Sequence, residues 1–432
     1  MRTLAVVGGG VIGLSAAWRA AGAGWTVTLY DPAVGSGSSW VAGGMLAPLS
    51  EGWPGEEAAL AFGAASLARW PGFAAELREV TGTDVFVAAQ TLTVALDAAD
   101  AADLRTIADF VNTHDLPAFD PKDISAEGDS LRTGAAEKAL ASMVDPTSTG
   151  AAATTPPGAA TTNQPGATAQ IPTAAGDVSG RLRLLDRAGV RAVEPGLGRG
   201  VRAGLLAVDE PAVDNRALVT ALRTACVAVG VEFRAERVER LSDLAHNRIL
   251  LAAGAASAQL WPGLPVRPVK GEILRLRRRP SAPPPPRRVI RARVHGRPIY
   301  LVPRHDGIVL GATQYEVGFD TAVTAASVRD LLTDAESVLP GLGEYEFAEA
   351  IAGFRPGSPD NLPLIGHLDD RVLVAAGHGR NGILDTPVTA DAVLALLAGA
   401  ELPAAHAADP RRFPSVAAQT SAAASLYPGG VR

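Results

Sequence analysis

The stretch Leu4-Ala-Val-Val-Gly8-Gly9-Gly10-Val-Ile-Gly13-Leu14, closing at Tyr30-Asp31, decides the fold. Residues 3–7 form an apolar run long enough for one fully buried strand. Gly8-x-Gly10-x-x-Gly13 follows at once. Residues 11–23 carry an apolar stripe at Ile12, Ala16 and Ala20 that predicts a helix, and residues 26–30 predict a second strand tipped by Asp31. Strand, glycine turn, helix, strand and acid is the order that a dinucleotide-binding unit requires. Gly8 makes the tight turn, Gly10 lets backbone approach a pyrophosphate, and Gly13 packs helix on strand. The N–H groups and positive dipole end of the helix, at Val11 and Ile12, then face the phosphates. Asp31, after Tyr30, can accept hydrogen bonds from a ribose. A glycine turn of purely structural use is the competing reading, and nicotinamide and flavin dinucleotides are both open here.

With 432 residues the chain has room for two or more domains, and a hydrophobic content of 47% supports a large core. A net charge of −6 without a basic block argues against a nucleic-acid partner. Arg277-Arg278-Arg279 and Arg287-Arg288 flank a proline run and read as a solvated loop. The single cysteine, Cys226, excludes an intrachain disulfide framework and a thiolate metal site, and no metal is expected. It falls on a predicted helix over residues 214–229 with a stripe at Leu218, Leu222, Ala225 and Val229, so a buried, inert thiol is expected. No apolar run reaches the roughly 18 residues of a membrane-spanning helix. Arg2 and the apolar run after it mimic a secretion signal, but the strand-turn-helix order argues against cleavage, which leaves the cytoplasm as the expected location.

Residues 35–48 are small and hydroxylic, with Ser38, Ser39, Gly43, Gly44 and Met45. Their place directly after the acid-tipped strand points to backbone running close to a ligand rather than to a flexible surface loop. Residues 56–80 predict a helix broken at Pro71, residues 86–96 a strand, and residues 98–112 a helix. Residues 133–180 are alanine, threonine, proline and glycine, uncharged from 147 to 176, and read as a disordered insertion. Strands are expected at 231–233, around Val238 and Leu241, and at 248–254, where the chain returns to the nucleotide sheet at Gly254. Further strands are expected at 266–276, 299–302, 307–313 and 373–377, with helices at 325–338 and 387–399.

Four segments together resemble the D-amino-acid-oxidase-like FAD enzymes, and within them the glycine oxidases of thiamine biosynthesis. They are the glycine turn with Asp31, Ala42-Gly43-Gly44-Met45, Phe354-Arg355-Pro356-Gly357 with Asp360 and Ile365-Gly366, and Gly377-His378-Gly379-Arg380-Asn381-Gly382-Ile383-Leu384. The last is the most specific, and the likeness spares only residues 133–180. The resemblance implies an α/β and α+β architecture. A discontinuous, Rossmann-like FAD-binding domain would use residues 1–85, 181–258 and 345–400. An antiparallel-sheet substrate domain would use residues 86–132 and 259–344, leaving a tail at 401–432.

Position by position, the resemblance makes Arg355 the partner of the substrate carboxylate, Tyr300 a second contact to it, and Arg380 an arginine beside the flavin. It places His378 to Leu384 along the flavin ring, Ser38, Ser39, Gly43, Gly44 and Met45 against the flavin, and the Val238 backbone by the adenine. Gln314 stands where better-known members carry methionine facing the substrate, and Pro298 where a more polar residue is expected, so substrate identity stays open. The implied activity is oxidative deamination of glycine or another small amino acid, by hydride transfer to non-covalent FAD and then to oxygen. The imine would supply a thiazole precursor, and thiazole-synthesis enzymes and a homo-oligomer are the implied partners. A D-amino-acid dehydrogenase and a sarcosine-type oxidase are the near alternatives, and a non-catalytic dinucleotide module is the distant one. Arg355 is expected in a Pro-Gly turn.

Overall fold

The computed structural model describes residues 1–117 and 181–416. The expected disordered insertion at 133–180 and the end of the tail, 417–432, lie outside the described residues.

Two sheets carry the architecture. The first has six strands in the spatial order Leu364–His367, Val372–Ala376, Arg248–Leu251, Thr3–Val7, Thr26–Tyr30 and Glu232–Arg234. All its pairings are parallel except that of Leu364–His367 with Val372–Ala376. Parallel strands are buried on both faces and read as unbroken apolar runs, as Leu4 to Val7 and Leu373 to Ala376 do. The helix Val11–Gly22 packs beside the helices Asn215–Ala228 and Thr386–Leu397 on one face of this sheet.

The helix Asn215–Ala228 shows how local sequence sets the elements. Asp214 caps it by accepting the N–H groups of Arg216 and Ala217, and Gly230, at φ 80°, lets the chain turn away. Its inner stripe buries Leu218, Leu222, Ala225 and Cys226 against the Val11–Gly22 helix. Burial pushes the Cys226 thiol up to about 12, and its sulfur points at the Leu14 carbonyl. The thiol is inert.

The second sheet has eight strands: Glu346–Gly357, Arg267–Arg277, Gly307–Gly311, Arg297–Arg304, Val289–Val294, Thr91–Ala95, Ala203–Ala207 and Leu182–Asp186. It is antiparallel except between Val289–Val294 and Thr91–Ala95. Residues 182–207 and 346–357, expected with the nucleotide sheet, supply strands to this sheet instead. Antiparallel ladders with Thr91–Ala95 and with Arg267–Arg277 hold them there.

Local differences have simple causes. The helix break falls at Ala68–Arg69, before Pro71, which sits in the first turn of the helix Trp70–Thr81 where its missing N–H costs nothing. Residues 86–96 split into Phe86–Ala88 and Thr91–Ala95 because the first stretch pairs with Ala212–Val213. No strand forms at Val238; the loop there leads into a short 3-10 turn at Leu241–Asp243, with Val238 packed against the core cluster that holds Tyr30. Arg355 lies on a twelve-residue strand, Glu346–Gly357, opposite Val269, and not in a turn.

Candidate active site

The glycine turn is built by close backbone contacts. A side chain at Gly13 would sit 1.9 Å from the Gly8 carbonyl oxygen, and one at Gly8 would sit 2.3 Å from that of Ala252. Gly10 starts the helix Val11–Gly22 with no side-chain cap, and a Cβ there would meet only the Ser39 hydroxyl, at 3.1 Å. The Val11 N–H donates to that hydroxyl at 3.1 Å. The first-turn N–H groups beyond that of Val11, the Ser39 hydroxyl and an approachable glycine form a donor set that fits a pyrophosphate. Asp31 accepts the N–H groups of Gly9 and Ala33, each at 2.7 Å, so in this structure the acid braces the turn. Tyr30 is buried edge-on to His246, with ring centroids 5.9 Å apart. Gly254 opens the turn Gly254–Ala256 at φ 57°.

The segment between the sheets is pinned from both sides. Ser38 donates its hydroxyl to the Phe354 carbonyl. Met45 bridges Ala212 and packs among Val41, Tyr300, Ala312 and Ile351. Arg304 is buried beneath the glycine pair, donating to the Gly43 carbonyl at 2.8 Å and to Asn215 Oδ1 at 3.1 Å, with Asp214 3.4 Å away. Burial pulls its guanidinium down to about 10, against the pull of Asp214. Gly44, at φ 85°, has no room for a side chain because the Val213 carbonyl would lie 2.0 Å away.

The Tyr300 ring fills the space above Gly43 and Gly311, where Cβ atoms would lie 2.8 Å and 2.3 Å from it. Burial raises its hydroxyl pKa, with Arg355 and Arg304 opposing. Arg355 lies flat across Gly271, whose Cβ would be 2.3 Å from Nη1, and donates to the Thr313 carbonyl at 3.1 Å. Among the described residues it has no carboxylate partner within salt-bridge distance.

Arg355 faces an open cleft that is also lined by Gln314 and by the turn from His378 to Asn381. That turn is laced to the Arg355 strand by a bridge between Gly357 and His378, and by the Gly379 N–H donating to the Pro356 carbonyl at 2.8 Å. Gly382, Ile383 and Leu384 run away from the cleft into the core; the Leu384 carbonyl accepts Ser66 at 2.6 Å and the Trp70 indole at 2.8 Å. His378 is buried with Nε2 3.0 Å from the Thr389 hydroxyl, and burial lowers its pKa to about 3. It is neutral at physiological pH and already engaged. Pro298 lies on the strand Arg297–Arg304 opposite Arg293 and is not among the residues that line the cleft.

Glu51 is a cleft residue that the motifs do not reveal. Its side chain is 12% exposed and bridges Arg291 and Arg380, each at 2.7 Å. Burial alone would raise its carboxyl, but Arg291, Arg380 and Arg355 outweigh burial and hold it below the usual range. Beneath it, fully buried Glu210 accepts the Leu49 and Ser50 N–H groups. The available signal was position: Glu51 is the first charged residue after the Ala42-Gly43-Gly44-Met45 loop. Among the described residues, no group of three or more His, Cys, Asp or Glu is placed to hold a metal, and no helix is long and apolar enough to cross a membrane.

Comparison with known proteins places this geometry. The chain is 28% identical to a glycine oxidase of Pseudomonas putida over 93% of this chain and 95% of that one. It is 35% identical to a bifunctional ThiO/ThiG protein of Synechocystis over 258 residues, 55% of this chain, and spans only 39% of that longer relative. Its fold matches a glycine oxidase of Geobacillus kaustophilus with a TM-score of 0.74 at 25% identity, over 95% of this chain and 99% of that one. The profile of the DAO family, FAD dependent oxidoreductases, matches residues 3–396. From the glycine turn to the last helix of the first sheet, this chain belongs to the FAD-dependent oxidoreductase family.

Proposed function

We propose that the protein oxidises glycine or a comparably small amino acid to the imine, which hydrolyses to the 2-oxo acid and ammonia while oxygen becomes hydrogen peroxide. The observation that carries this reading is Arg355, stretched over Gly271 into the cleft without a carboxylate of its own. A planar guanidinium in that state suits a substrate carboxylate, and Tyr300 adds a hydroxyl nearby. Gln314, an exposed residue lining the same cleft, is the candidate for setting which substrate side chains fit.

Bound FAD supplies the acceptor for the hydride that leaves the substrate Cα. The residues to hold it are Gly8, Gly10, Val11, Ile12, Gly13, Tyr30 and Asp31 at the nucleotide end. Ser38, Ser39, Gly43, Gly44, Met45 and the turn from His378 to Leu384 would serve the ring, with Val238 and Gly254 at the margins. Cys226 is buried under the first helix, which supports non-covalent attachment. Neutral, hydrogen-bonded His378 and low-pKa Glu51 are both poor proton acceptors at neutral pH, so in this reading the substrate ammonium gives its proton to solvent before the hydride leaves. The likeness to proteins named ThiO supports delivery of the glycine imine to thiazole-forming enzymes; a homo-oligomer working in the cytoplasm completes the proposed reading.

Anaerobic addition of glycine to the yellow holoprotein should bleach its flavin, and the aerobic reaction should release peroxide. A flavin that stays oxidised with glycine, sarcosine, D-alanine and D-proline alike would rule the reading out. Bleaching without peroxide under air would instead assign a dehydrogenase.

A further inference from the structure

The cleft is lined by three arginines in different states. Arg267 pairs with Glu316 at 3.1 Å on the rim. Arg380 pairs with Glu51 at 2.7 Å, and Arg355 has no carboxylate partner among the described residues. Glu51 is fixed independently of Arg380, because Arg291 holds its other oxygen and also donates to the Ser50 hydroxyl at 3.1 Å. Glu210 fixes the backbone of Leu49 and Ser50 just before it. This carboxylate is therefore a rigid part of the wall and not a mobile surface acid.

We propose that Glu51 determines specificity: by occupying Arg380 it leaves the cleft one available cation, Arg355, and so restricts the substrate to amines bearing a single carboxylate. A second carboxylate on the substrate would have to displace Glu51 from Arg380 and would meet the Glu51 charge directly, and like charges so placed disfavour the wrong ligand. Replacing Glu51 with an uncharged isostere removes the repulsion and frees Arg380 for the added acid. The inference rests on the amino-acid-oxidase reading and concerns the breadth of that activity.

The test compares glycine with iminodiacetate, which is glycine carrying a second carboxylate on nitrogen, and with N-propylglycine, an uncharged extension of similar bulk. Wild-type holoenzyme should favour glycine over iminodiacetate. Glu51→Gln should raise the iminodiacetate-to-glycine ratio of kcat/KM by about tenfold or more and leave the N-propylglycine-to-glycine ratio unchanged. Glu51→Gln combined with Arg380→Gln should lose that gain, because Arg380 is the cation released. Glu51→Asp, which keeps a charge for Arg291 but withdraws it from Arg380, should move the ratio the same way by a smaller factor and covers the case of a Gln variant that does not fold. A wild-type enzyme that takes iminodiacetate as readily as glycine overturns the proposal, as does a flavin-loaded variant whose ratio stays within about twofold of wild type. If no amine is oxidised at all, the function reading fails separately. The specificity claim is then decided by flavin absorbance titrations with acetate and malonate, in which only Glu51→Gln should tighten malonate.

Discussion

Arg355 owes its posture to a hydrogen atom. Gly271 has no side chain, and the guanidinium lies in the space that a methyl would take, with Nη1 2.3 Å from that point. Arg355→Ala should raise KM for glycine about 30-fold or more with a smaller change in kcat, since a charge-assisted carboxylate contact is made before the chemical step. Gly271→Ala should do nearly the same while every arginine remains. The atom it strikes is the end of a flexible side chain, so the strand stays intact and the guanidinium is pushed aside. Steady-state kinetics with flavin content measured in parallel check both. A Gly271→Ala enzyme with wild-type KM would show that the clamp lies elsewhere.

The segment from Met45 to Gly52 depends at the element scale on a buried acid. Glu210 receives two backbone N–H groups from this segment, and burial pushes its carboxyl up to about 7. Between 4.5, its ordinary value, and about 7, the folded protein keeps a proton that the unfolded chain has released. Stability from this group is therefore fully present below the ordinary range and is lost as pH rises through 7, on the order of 3 kcal/mol in all. The melting temperature of wild type should fall relative to Glu210→Gln between about pH 5 and about pH 8. A constant difference across that window would mean that Glu210 does not titrate there.

Legibility at this scale followed the physical range of each interaction. The glycine turn and the helix at residues 98–112 rest on local spacing, and both stood in the sequence with their bounds. The strand over Arg355 could not be read, because Phe354-Arg355-Pro356-Gly357 has turn-like composition and is kept extended only by its ladder with Arg267–Arg277. Glu51 was hidden for the same reason: its partners Arg291 and Arg380 are remote in sequence and meet only when both sheets are assembled. Ser38 kept its place beside the nucleotide turn, but its bond to the Phe354 carbonyl crosses between sheets and leaves no local trace.

For the whole molecule, the two edges of the undescribed stretch 118–180 are tied together. Asn112 exchanges hydrogen bonds with Leu182 at 3.1 Å and 3.3 Å, and Arg181 donates to the Pro117 carbonyl at 2.8 Å. Chain ends held this close need only a short connection. Replacing residues 118–180 with a short glycine-serine linker should leave flavin content and glycine turnover within about twofold of wild type. Loss of either would assign the stretch a part in the site.

The order of strands in the six-stranded sheet has a consequence for how the chain reaches this state. Thr3–Val7, its central strand, is flanked by Thr26–Tyr30 and by Arg248–Leu251, and the latter waits in turn for Val372–Ala376. During synthesis the glycine turn leaves the ribosome well ahead of residues 248–251, and its strand keeps an open edge until they follow. Such pairings give a high contact order, which slows folding and leaves early strands exposed to wrong partners. The cradle for the dinucleotide thus precedes by far the strands that complete it, so flavin capture waits until residues 372–376 have joined the sheet.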